Sequence, residues 1–115
     1  MDVYVDIDEN YDEWYHSNHF NTVRDKILNK MAGVDGAWVR PSSSNHVHVR
    51  VKMAYDQSFL KQMCIRAFLG DDPQRLACDL ERFYRDKDQE NCGRCFDEKY
   101  TRGRVKKAGE WIRIV

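Results

Sequence analysis

Ser42-Ser43-Ser44-Asn45-His46-Val47-His48-Val49-Arg50-Val51 is a serine-rich turn that runs directly into an alternating segment. Side chains on a strand point to opposite faces with period two. Val47, Val49 and Val51 therefore share one face, and His46, His48 and Arg50 share the other. A sheet buries such valines. Two histidines and an arginine on its opposite face point to something anionic or metallic bound there.

A second segment repeats the pattern. Val3, Val5 and Ile7 alternate with Tyr4, Asp6 and Asp8, which predicts a first strand. From His19 to Ala32, Phe20, Val23, Ile27, Leu28 and Met31 recur at helical spacing, and Gly33 stops the run. Ala37 to Arg40 reads as a second strand ended by Pro41, and His46 to Met53 as a third. Asp56 is a candidate cap for a helix presenting Phe59, Leu60, Met63, Ala67 and Phe68 on one side. Asp72-Pro73 starts another, with Leu76, Leu80, Phe83 and Tyr84 inward and Arg75, Arg82 and Arg85 outward. Glu9 to Asn18 reads as a polar, aromatic loop with some helical start. Asn91 to Gly93 is a turn, Phe96-Asp97 a short strand, the basic stretch around Gly103 hairpin-like, and Glu110 to Val115 the last strand.

This order gives an α+β fold of the ferredoxin-like or RRM-like split β-α-β type, an antiparallel sheet with helices on one face and an open functional face. A chain of 115 residues that is 42% hydrophobic suits one folded domain over 1–115. In that topology the first and third strands are central neighbours. Asp6 and Asp8 then lie beside His46, His48 and Arg50 on the open face, with Trp38 and Arg40 close by.

The formal net charge is zero, so total charge gives no argument for nucleic acid. Its distribution is uneven: Met1 to Arg40 holds eight carboxylates against four Lys and Arg, whereas Lys99 to Val115 holds six Lys and Arg against Glu110. This suits metal at one edge and phosphate at the other, but two ordinary solvated surfaces are the simpler reading of charge counts alone. No run reaches the roughly 18 apolar residues of a membrane helix, and the start lacks a signal-peptide pattern, so an intracellular (cytoplasmic) protein without membrane partners is expected. The four cysteines then read as free thiols. Cys64 and Cys78 fall at apolar helix positions expected in the core. Cys92-Gly93-Arg94-Cys95 is a lone CxxC, a turn or redox-sensitive pair unless other ligands complete a zinc site.

Carboxylates at i and i+2 on a strand can share a divalent ion, and Mg²⁺ or Mn²⁺ suits such ligands. Asp97 is the best third acid. Val5-Asp6-Ile7-Asp8, Ser44-Asn45-His46 and Phe96-Asp97 resemble, in order, the three signature motifs of the archaeo-eukaryotic primase superfamily. That resemblance implies a replication protein with a minimal nucleotidyltransferase core. Asp6, Asp8 and Asp97 would hold catalytic metal, and Ser44 and His46 would contact the nucleotide; beside them, Arg50 or His46 is placed to hold its phosphate oxygens. Its partners would be a single-stranded DNA or RNA template, a nucleotide, and other replication proteins or a second copy of the chain. The chain is short for a primase catalytic domain.

His46-Val47-His48 also resembles the His-hydrophobic-His motif (HUH) of rolling-circle initiators, relaxases and small single-strand transposases. In that reading His46 and His48 bind metal and Tyr84, with Lys87 nearby, attacks the scissile phosphate. It gives His48 a role but leaves Asp97 none. A third reading is noncatalytic: a ferredoxin-like domain that binds single-stranded nucleic acid on its open face, stacking bases on Tyr4 and Trp38.

Overall fold

The computed structural model describes residues 1–86, 98–101 and 104–115. Asp97, Phe96, Lys87, Cys92, Cys95, Gly103 and the turn at 91–93 lie outside the described residues.

The elements run β1 (Asp2–Ile7), α1 (Tyr11–Tyr15), α2 (Asn18–Asn29), β2 (Val34–Pro41), β3 (Val47–Met53), α3 (Phe59–Phe68), α4 (Pro73–Asp86), β4 (Glu98–Thr101), β5 (Arg104–Lys107) and β6 (Ile112–Arg113). The fold is α+β, with a four-stranded antiparallel sheet compatible with the ferredoxin-like split β-α-β arrangement. β4 and β5 pair antiparallel as a separate two-stranded sheet. No described helix is long and apolar enough to cross a membrane.

Alternation fixes the register. Val3, Val5 and Ile7 stand opposite Val51, Val49 and Val47, and Ala37 and Val39 opposite Val51 and Val49. These side chains are buried in one cluster with Val23 and Ile27 of α2, Ile65 of α3 and Leu69 at the C-terminal cap of α3. Each fully buried valine contributes on the order of 1.5 kcal/mol or more, so a one-residue slip, which would turn the row to the other face, is strongly disfavoured.

The sheet order is β1-β3-β2-β6. β1 and β3 are neighbours as the sequence predicts, yet β1 lies at an edge and the closing strand joins β2. The outer edge of β1 is engaged at Asp6: its backbone N–H donates to Asp71 Oδ2 at 3.2 Å, and Asp72 N–H donates to the Asp6 carbonyl at 2.8 Å. The junction between α3 and α4 thus sits where a fourth strand would pair.

That junction is built on a buried ion cluster. Arg66, 1% exposed, donates to Asp71 through Nε at 2.8 Å and to Asp79 through Nη1 at 2.7 Å. Drawing Arg66 inward sets the rotation of α3. Phe59, Met63 and Ile65 are buried, while Leu60, Phe68 and Cys64, expected inside, face outward; Cys78 on α4 and Leu28 on α2 are also exposed. The α3 cap is Ser58, which accepts from Lys61 N–H at 3.2 Å, rather than Asp56. Phe59 and Met63 pack on Leu76, Leu80 and Phe83 of α4. The segment after β1 is more ordered than a loop: α1 buries Tyr11 and Trp14 in the main core.

Candidate nucleic-acid interface

The face opposite the valines carries two rows of polar and aromatic side chains. In the first, Tyr4 is opposite Arg50, Arg50 opposite Trp38, and Trp38 opposite Arg113 of β6. In the second, Asp6 is opposite His48 and His48 opposite Arg40. The alternation expected from sequence therefore brings Asp6, His48, Arg50, Trp38 and Arg40 onto one face.

Aromatics and guanidiniums interleave across it. Arg50 Cζ lies 4.7 Å from the ring centroid of Trp38 and 4.7 Å from that of Trp111, so the guanidinium is held between two indoles. Arg40 Cζ is 4.2 Å from the Trp111 ring, and Arg113 Cζ is 5.1 Å from the Trp38 ring. Tyr4 meets Trp111 at 6.5 Å in a tilted arrangement. Gly36 makes room for Trp38: a Cβ there would come within 2.8 Å of the indole edge and 3.1 Å of Arg113 Nη2. Gly109 permits the approach of the last segment, since a Cβ there would lie 2.5 Å from Pro41 Cγ.

The histidines differ in setting. His48 is buried, and Arg40 Nε donates to its Nδ1 at 3.2 Å. Burial first, then the charges of Arg40, Arg75 and His46, lowers its pKa to about 3. His48 is thus neutral at physiological pH, with one ring nitrogen committed as an acceptor. His46 is half-exposed, its Nδ1 3.5 Å from Asp8 Oδ1. The turn before it is organised by Ser42, whose Oγ accepts from the N–H groups of Ser44 and His46 at 3.2 and 3.0 Å. Ser44, the serine of the predicted motif, is exposed, and Asn45 takes the left-handed conformation (φ 59°) that asparagine tolerates.

Asp6 and Asp8 lie on the expected strand and just beyond it, but Asp6 Oδ2 accepts from Arg75 Nη1 at 3.0 Å. Burial raises the Asp6 pKa, and Arg75 opposes that rise. The Arg75 guanidinium thus engages one oxygen of the Asp6 carboxylate. Among the described residues no group of three or more His, Cys, Asp or Glu is disposed to hold a metal ion. Asp97, the third acid of the expected set, lies outside the described residues. Tyr84 is exposed on α4 with its ring against Phe83, which stacks on Phe59. Its described ring contact is with the α3–α4 cluster.

Arg113, Arg75 and Trp111 were not singled out by the sequence as part of this face. Trp111 and Arg113 share one parity in the final segment, and only the pairing of β6 with β2 shows where that segment goes. No protein-family model, curated protein or solved structure matches this chain.

Proposed function

We propose that the β1-β3-β2-β6 face binds single-stranded nucleic acid without cleaving it. The observation that carries this reading is Arg50 held between Trp38 and Trp111, flanked by Arg40 and Arg113. Guanidiniums neutralise phosphates, and aromatic faces accept bases of any identity, so an interleaved set suits a flexible strand with little sequence preference. Tyr4 and Trp38 supply stacking surface; Arg40, Arg50 and Arg113 supply charge. Three such contacts give an affinity that falls with salt at a log–log slope of about 2.

Fluorescence anisotropy with labelled oligonucleotides of about 12 nucleotides tests this, a length within the usual site sizes of such domains. Wild-type protein binds single strands in preference to duplex. Trp38→Ala loses about 1–3 kcal/mol, the usual cost of one stacked base. Equal binding by wild type and Trp38→Ala, or no binding at low salt, refutes the reading.

A second reading rests on the corner where Asp6, Asp8 and His46 meet. The 3.5 Å contact between His46 and Asp8 joins the first two primase-like motifs in space. In this reading the corner takes a nucleotide with Mg²⁺ or Mn²⁺, and Arg75 must leave Asp6. Isothermal titration of a nucleoside triphosphate with and without Mn²⁺ separates the two: metal-dependent binding lost in Asp6→Asn supports the corner, and its absence removes it.

A further inference from the structure

Trp111 lies over the cations that a nucleic-acid ligand needs. Its ring sits 4.2 Å from Arg40 Cζ and 4.7 Å from Arg50 Cζ, beside Tyr4. Those are the partners a stacked base would take.

Resting on the nucleic-acid reading, we propose that Trp111 is an internal competitor for the face: its indole occupies a base position and leaves when a single strand binds.

Arg50 gives the reason for exchange. Its Nε is buried and has no hydrogen-bond partner. An indole carries only an N–H donor and cannot satisfy another donor. A phosphodiester brings an acceptor oxygen together with a base, so it can replace the stacking and also pair the orphaned N–H. A buried donor left unpaired is a cost that the ligand removes and Trp111 cannot. The ligand class follows: an anionic strand whose phosphate and base reach Arg50 together, rather than a free base or nucleoside.

The backbone on either side of Trp111 is fastened. Gly109 N–H donates to the Pro41 carbonyl at 2.9 Å, and Ile114 N–H donates to the Ala37 carbonyl at 2.9 Å. What moves is therefore the indole, turning about its side-chain bonds, while the final segment stays on β2. Turning it away uncovers the faces of the Arg40 and Arg50 guanidiniums that the ring covers.

The test compares wild type, Trp111→Ala and Trp111→Phe by anisotropy with the same single-stranded oligonucleotide over a range of salt. Trp111→Ala is expected to bind about tenfold more tightly, since two cation–π contacts no longer compete. Its salt dependence stays at the wild-type slope of about 2, because the displaced indole already leaves Arg40, Arg50 and Arg113 to the phosphates in the bound wild type. A general loosening of the fold would weaken binding rather than tighten it. Trp111→Phe, which keeps a weaker ring over the arginines, falls between the two and decides the matter if Trp111→Ala does not fold. Wild-type binding that is unchanged or weakened in these variants overturns the competitor and leaves the nucleic-acid reading standing. No binding by wild type or either variant overturns both.

Discussion

Arg40 Nε donates to His48 Nδ1 at 3.2 Å, and this bond decides what His48 can do. It fixes the tautomer with the proton on Nε2 and sets a permanent cation beside the ring. Of the two histidines that share the strand's polar face, the buried one acts as an acceptor that holds Arg40 beneath Trp111.

A pH dependence follows, with a definite sign. The folded His48 pKa is about 3, below its ordinary value of 6.5, because burial and Arg40 disfavour its charged form. The unfolded chain therefore takes up a proton first as pH falls. The His48 contribution is fully present above about pH 6.5 and is lost as pH falls toward about 3, at up to ~1.4 kcal/mol per pH unit. Urea unfolding of wild type and His48→Gln should show the wild type losing stability more steeply across that window. Parallel pH profiles for the two proteins would contradict it.

Arg66 makes a second prediction, about stability alone. Arg66→Met leaves Asp71 and Asp79 buried without their guanidinium, and such a break costs about 3–5 kcal/mol. Cys64→Ser, on the exposed side of the same helix, should change stability by less than about 0.5 kcal/mol. Chemical denaturation of the two variants checks both values.

Gly36 offers a way to disturb the face without removing a ring. A Cβ at this position must displace the edge of Trp38 and the tip of Arg113, both ends of side chains. Gly36→Ala should therefore cost no more than about 1 kcal/mol in thermal unfolding while weakening oligonucleotide binding several-fold. Unchanged affinity would show that the placement of Trp38 does not matter for binding.

Charge at the β1 corner separates the two functional readings. Asp6→Asn with Asp8→Asn removes two negative charges and loosens the hold on Arg75. On the sheet-face reading this variant binds single strands more tightly at low salt, by a factor of about 2–10, and the gain fades as salt screens it. Loss of binding, with a requirement for Mn²⁺ in the wild type, would favour the nucleotide corner. On the sheet-face reading, Tyr84→Phe on the exposed side of α4 should leave the wild-type behaviour unchanged and no protein–DNA adduct should form.

Much of this geometry was legible in the chain. The valine alternation of β1 and β3 sets which residues face outward, and period two needs no tertiary information. The parity of Trp38 and Arg40 with Arg50 follows in the same way. What the sequence did not reveal depends on closure in three dimensions. The Arg66–Asp71–Asp79 cluster turns α3 so that Leu60 and Phe68 face outward, and no helical spacing announces a buried arginine. The last strand joins β2 while residues 71–72 engage β1, an arrangement that local pattern does not record. Trp111 reads as an ordinary strand aromatic until β6 is placed. His48 looks exposed by parity, and only its neighbours Arg40 and Arg75 show it to be buried and neutral.

The most direct test is an NMR titration of the protein with a single-stranded oligonucleotide at low salt. Binding on the sheet face predicts the largest shifts at Tyr4, Trp38, Arg50, Trp111 and Arg113, with Cys64 and Leu60 on the outer side of α3 unmoved. Shifts confined to α3 and α4, or none at any concentration, would contradict it.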